Sequence, residues 1–247
     1  MVGRRGPAGH RLCVAIDLEG YGRRSDAAQE RAQDALATLL DAAWRAAGTA
    51  PLRQPNGDGE VALLDLAAEP AAVVTMLGAL RRGLADLNRT TPQERLRLRA
   101  AAHHGPGRPA RNGFAGGGVV RTCRFLGSRA LRADLAGRPA VDLALALSDP
   151  LFGELRGVVR ERDFRRVFVV EPAKMFSGHA WLHTGGPLPA AADRTVGTGR
   201  SGPEPPGQRP AGMRIEIADG GQVGSVVQAR ELRGGLTLGR PDHRGRR

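Results

Sequence analysis

The segment VAIDLEGYG, residues Val14 to Gly22, ends an apolar run, LCVAI, in Asp17 and then turns through Gly20 and Gly22. The run reads as a buried strand over about Arg11 to Ile16, since a short apolar stretch bounded by turn residues has a strand's length and composition. Farther along, RQPNGDGEVALL (Arg53 to Leu64) contains Asn56-Gly57-Asp58-Gly59, where glycine and asparagine accept the positive φ of a tight hairpin. A strand end and a hairpin tip can meet at one edge of a sheet, which would set Asp17 beside Asp58. Carboxylates paired in this way suit a hard divalent cation, Mg2+ or Mn2+, held against nucleotide phosphates. Taken singly, Asp58 also fits a plain turn, and Asp17 a helix cap or a surface site.

The chain around them has 247 residues, enough for one sizeable domain, alone or with an appendage. Aromatic residues make up 4%, so alanine, leucine and valine carry the packing. The formal charge of +12 is almost wholly arginine, with Lys174 the one lysine. These arginines are scattered rather than interleaved with aromatics, in a chain rich in alanine, glycine and proline. That pattern fits the coding bias of a GC-rich genome better than a nucleic-acid groove, and no specific nucleic acid is expected as a partner. Cys13 and Cys123 form neither a disulfide framework nor a metal-ligand spacing, and read as small buried thiols. The apolar run before Asp17 is too short for a signal peptide or a membrane span, so a cytoplasmic protein without a membrane partner is expected.

After the first strand, a helix capped by Ser25 is predicted, with Leu36, Leu39, Leu40, Ala43, Trp44 and Ala47 on one face and Gly48 at its end. The hairpin with its tip at Asn56 to Gly59 returns along Glu60 to Leu66. A second helix starts near Pro70 and buries Val73, Val74, Leu77, Leu80, Leu84 and Leu87. RLRLRAAAHHGP (Arg95 to Pro106) alternates as a half-exposed strand, with His103 and His104 at its end, one inward and one outward, and no third ligand for zinc. The glycine-rich stretch Gly113 to Gly118 leads into one helical segment, Val119 to Leu135. AVDLALALSD reads as a strand, a short helix follows Asp149-Pro150, and RRVFVVE and HAWLHT form a closing hairpin. The order β-α-β-β-α-β plus an extension predicts an α/β (α+β) fold, a ferredoxin-like sandwich with helices on one face of a mainly antiparallel sheet. Residues 1–184 form this domain, 185–212 a Gly/Pro-rich linker, and 213–247 a short β-rich appendage with a frayed basic end. The appendage is expected to pair through its strands with a protein partner or its own domain.

Four segments in order resemble the class III nucleotide cyclases, the adenylate and guanylate cyclase catalytic domain, in a divergent actinobacterial type. AIDLEGYGRRS looks like the first-strand motif, aspartate-x-x-glycine-aromatic. NGDGEVAL looks like the hairpin with the second metal aspartate, LRAAAHHGP like the strand ending in histidine-x-glycine-proline, and FAGGGVVRTCRFL like the glycine, valine-asparagine and arginine segment. The resemblance implies that Asp17 and Asp58 bind two metal ions, with the Leu18 carbonyl as a further ligand. It implies that the amides of Glu19, Gly20, Tyr21 and Gly22 face the phosphates, Gly20 letting the backbone approach closely. Arg124 matches the arginine that stabilises transition-state charge, and Arg121, one turn away, competes for that role. Glu19 reads as a solvated side chain or a third carboxylate.

Three positions depart from the pattern. Val120 stands where the ribose-binding asparagine is expected, Gln54 where a lysine reads the purine, and Gly113 where its partner acid belongs. Glutamine can still hydrogen-bond a base edge, whereas valine and glycine cannot replace what is lost, so no choice between ATP and GTP follows. The resemblance then implies a cyclase-homology domain that binds a purine nucleoside triphosphate with divalent metal as a regulatory or signalling module, and a homodimer. The alternative is an active homodimeric cyclase that makes a cyclic mononucleotide and pyrophosphate. A dinucleotide cyclase is a weaker third reading, because the paired-glycine glutamate hairpin of diguanylate cyclases is missing.

Overall fold

The structure, a computed structural model, describes residues 9–65 and 70–188. The tail from 213, and the linker beyond Leu188, lie outside the described residues. Nine strands and five helices follow in the order β1 (His10–Leu18), α1 (Asp26–Ala46), β2 (Leu52–Pro55), β3 (Gly59–Leu64), α2 (Pro70–Thr90), β4 (Leu98–Pro106), β5 (Arg108–Ala110), β6 (Gly113–Ala115), α3 (Gly117–Leu126), α4 (Arg129–Ala136), β7 (Leu143–Ser148), α5 (Asp149–Glu154), β8 (Phe164–Glu171) and β9 (Phe176–His183). Seven strands form one sheet in the order β2-β3-β1-β4-β7-β9-β8, while β5 and β6 make a separate small hairpin. Within this sheet of the described residues only β4 and β7 pair in parallel; every other neighbouring pair is antiparallel. This is the mixed α/β, mainly antiparallel architecture that the pattern predicts.

Alternation along β1 divides the core. Leu12, Val14, Ile16 and Leu18 face α1 and α2, joining Leu36, Leu40, Trp44, Val73, Leu77 and Leu84 in the main cluster. Cys13 faces the other way, against Leu63 and Val119, and beside it Ala101, Phe125, Leu131 and Leu135 form a second cluster. Helices therefore cover both faces of the sheet, not one as expected. The periods of α1 and α2 revealed their own buried stripes, but which face each helix covers depends on crossovers that no local pattern encodes. The expected helix over Val119 to Leu135 is two helices, because Gly127 ends α3 and the Ser128 hydroxyl caps α4 by accepting from the Leu131 N–H at 3.2 Å. At the start of α3, a side chain on Gly118 would lie 2.7 Å from the Gly105 carbonyl carbon, so helix and strand can meet here only as glycines.

The hairpin that carries Asp58 is anchored on α1 through a buried carboxylate. Glu60 is 3% exposed and accepts from Trp44 Nε1 at 3.1 Å and Arg53 Nε at 2.7 Å, while Arg53 also pairs with Asp41. The packed chain continues past β9: Arg81 donates to the Gly185 and Gly186 carbonyls, and Leu188 joins the main cluster. Among the described residues no helix is long and apolar enough to cross a membrane.

Candidate functional site

Asp17 occupies the penultimate position of β1, opposite Gly59 on one neighbour and Arg99 on the other. The hairpin tip folds onto the same end, where the Leu18 N–H donates to the Asp58 carbonyl at 2.7 Å. The tip itself is tighter than expected. Asn56 N–H bonds the Gly59 carbonyl at 3.0 Å, and Gly59 already belongs to β3. Asp17 and Asp58 are thus adjacent, and the Asp58 charge acts on the Asp17 carboxyl.

Asp17 already holds a cation of the chain's own. Arg99 Nε and Nη2 grip its two oxygens at 2.9 and 2.7 Å, a bidentate pair that the alternating pattern of β4 did not announce. Burial, with a smaller push from the Asp58 charge, raises the Asp17 carboxyl to about 6 against the opposing pull of Arg99 and, more weakly, Arg132. A divalent cation between the two carboxylates would relieve both burial and repulsion, and the oxygen donors suit Mg2+ or Mn2+. Among the described residues no three His, Cys, Asp or Glu side chains form a metal-binding group. The remaining ligands would come from backbone, water and phosphate oxygens, the mode in which Mg2+ is commonly held.

The turn after Asp17 divides the expected phosphate amides. Glu19 N–H donates to the Arg97 carbonyl at 2.8 Å and its carboxylate accepts from Arg97 Nη1 at 2.7 Å, so Glu19 is paired through both backbone and side chain rather than solvated. Gly20 adopts φ 68°, and the bonds that close the following 3-10 turn are donated by Arg23 and Arg24. The turn can therefore offer the amides of Gly20, Tyr21 and Gly22. The Tyr21 hydroxyl accepts from Gln33 of α1.

The two positions expected from the resemblance to face the base also meet. Gln54 lies directly over Gly113, so that a side chain there would come within 2.1 Å of Gln54 Oε1. Arg124 is half-buried on α3, one turn from Val120, which is 53% exposed. Arg121, the competing arginine, stacks its guanidinium over Phe176 at 5.5 Å, a packing role. Lys174 Nζ approaches Gly127 from the β8–β9 turn, an approach set by tertiary packing that the sequence could not reveal.

The histidines divide as expected. His103 is buried against Ser148 Oγ at 2.8 Å and His104 faces Glu154 at 2.9 Å. Cys13 is buried, its thiol pushed up to about 12 by burial, whereas Cys123 is exposed, contrary to its reading as a buried thiol. Cys123 sits on the outer side of α3, and helical phase rather than residue type decides its exposure.

No protein-family pattern and no curated protein matches the sequence. Solved structures do match in fold. The guanylyl cyclase Cya2 aligns with a TM-score of 0.56 at 11% identity, over 73% of this chain and 95% of that one. The adenylate/guanylate cyclase/hydrolase from Silicibacter pomeroyi aligns with a TM-score of 0.53 at 19% identity, over 72% and 99%. The guanylate cyclase domain of RhGC from Catenaria anguillulae, in complex with GTP, aligns with a TM-score of 0.51 at 12% identity, over 73% and 98%. At these identities the likeness is one of architecture: the chain has the fold of the adenylyl and guanylyl cyclase catalytic domains.

Proposed function

We propose that the chain is a cyclase-homology domain that binds a purine nucleoside triphosphate with Mg2+ or Mn2+ at Asp17 and Asp58 and acts as a regulatory or signalling module. The observation that carries this reading is the meeting of two carboxylates at the end of β1, one with its carboxyl raised to about 6, beside a glycine turn. A bound divalent ion would supply charge neutralisation for both carboxylates and for the triphosphate. Asp17 and Asp58 would hold it, and the Gly20, Tyr21 and Gly22 amides would receive phosphate oxygens. Arg99 would pass from the Asp17 carboxylate to share the added negative charge. GTP in the RhGC structure of the same fold supports a purine nucleotide as the ligand. Gln54 over Gly113 supports loss of the usual base contacts rather than loss of binding. Val120 in place of asparagine supports a module without ordinary cyclase turnover.

The second reading, an active homodimeric cyclase, draws on Arg124. Half-buried on α3, it would complete the site of a second copy, as the resemblance implies. Titration calorimetry with Mn2+ and ATP or GTP tests the metal site. Binding is expected in the wild type, with affinity reduced by about tenfold or more in Asp58→Asn. Equal affinities would sink the assignment. Mass spectrometry of the products after incubation separates module from enzyme.

A further inference from the structure

Arg97 makes an unusually complete set of contacts for a side chain outside the proposed metal site. Its Nε donates to the Val141 carbonyl at 3.0 Å, and Nη2 to the carbonyls of Leu135 at 2.5 Å and Arg138 at 3.1 Å. Its Nη1 holds the Glu19 carboxylate at 2.7 Å, while its own carbonyl accepts the Glu19 N–H at 2.8 Å. The pair is largely shielded, at 20% and 33% side-chain exposure. Leu135 lies in the last turn of α4, and Arg138 and Val141 in the loop leaving it, at the helix end that favours a positive charge; the Leu135 and Arg138 carbonyls, which also accept backbone N–H groups, share their second lone pairs with Arg97. The fourth, Glu19, opens the glycine turn. A planar guanidinium is the one side chain able to serve all four acceptors together.

We infer that Arg97 is a positioning residue that ties the glycine turn after Asp17 to the C-terminal end of α4, and so holds the Gly20, Tyr21 and Gly22 amides in place for phosphate. This rests on the nucleotide-binding reading for its purpose, but the tether itself can be read without nucleotide. Gly20 and Gly22 have no side chains to brace the turn, and the two bonds to Glu19 brace it from its first residue. α4 also carries Arg132, so the same tether sets that arginine relative to Asp17.

The test uses the full chain and two variants, Arg97→Lys, which keeps the charge but loses the fork, and Glu19→Gln, which keeps the shape and loses the charge. Hydrogen exchange of the nucleotide-free protein should speed up by about tenfold at the Glu19, Arg23 and Arg24 amides, which donate the bonds that hold the turn, in both variants, with α2 unchanged. Calorimetry with Mn2+ and ATP or GTP should show affinity about tenfold weaker in each, and the double variant no weaker than the poorer single. Wild-type exchange rates at Glu19, Arg23 and Arg24 in both variants would overturn the inference. So would faster exchange with unchanged affinity, since the tether would then be structural only. Should Arg97→Lys fail to fold, Glu19→Gln alone decides by the same readouts. If the wild type binds neither nucleotide, the metal-site reading falls, and exchange still decides whether Arg97 fixes the turn.

Discussion

Asp17 illustrates how a single carboxylate becomes a candidate site. In an exposed turn it would be one acid among many; at the end of β1 it is partly desolvated, clasped by Arg99 and repelled by Asp58. The juxtaposition depends on Gly59, which pairs with Asp17 across the ladder. A methyl group there would lie 2.2 Å from the Ile16 carbonyl oxygen, a clash with backbone that no rotamer change can relieve. Gly59→Ala is therefore expected to lower stability by about 3 kcal/mol or more, whereas Gly57→Ala meets only the end of Gln33 and should lose about 1 kcal/mol for its φ of 83°. Urea denaturation of both variants checks this. If Gly59→Ala is the milder of the two, the close approach of hairpin and strand is wrong.

Among the elements, α3 carries the question of turnover. Its inner face packs Val119 and Phe125 onto the sheet, which turns Val120 outward and leaves Arg124 half-buried. If the chain is an active dimer, mixing Asp17→Ala with Arg124→Ala chains should restore product formation that each variant lacks alone, because one intact composite site would form. A mixture no more active than its components would count against a shared site. The β2–β3 hairpin poses the opposite case, an element fixed within its own chain by Glu60, Arg53 and Trp44.

For the whole molecule, two buried histidines make stability depend on pH. Burial, aided by Arg121, lowers His103 to about 4, and burial, aided by Arg81, lowers His183 to about 4. A depressed imidazole favours the neutral form in the folded state. Its contribution is present above the unfolded value of 6.5 and is lost as pH falls toward 4, up to about 3 kcal/mol for each at about 1.4 kcal/mol per unit. Asp17, raised rather than lowered, works in the other direction over part of the same window. Replacing one histidine isolates its share. Unfolding of the wild type and His183→Gln, followed from pH 7 to pH 4, should show a shallower loss in the variant. Parallel curves would show that His183 is not held neutral.

Much of this protein was written in local pattern. The runs ending in Asp17 and Asp58, the stripes of α1 and α2 and the closing hairpin could all be read, because strand and helix periods and turn residues act over a few neighbours. The sequence by itself therefore determined the main alternation of strands and helices, the mainly antiparallel sheet and the candidate carboxylates, but neither the small β5–β6 hairpin nor the break between α3 and α4. Only the tertiary structure decided that helices cover both faces, that Arg99 clasps Asp17, that Arg97 holds Glu19, and that Gln54 lies over Gly113. Each of those pairs joins residues far apart in the chain, and their contact depends on strand order and register. Arginine is so frequent here that no single one stands out until the sheet is assembled around it.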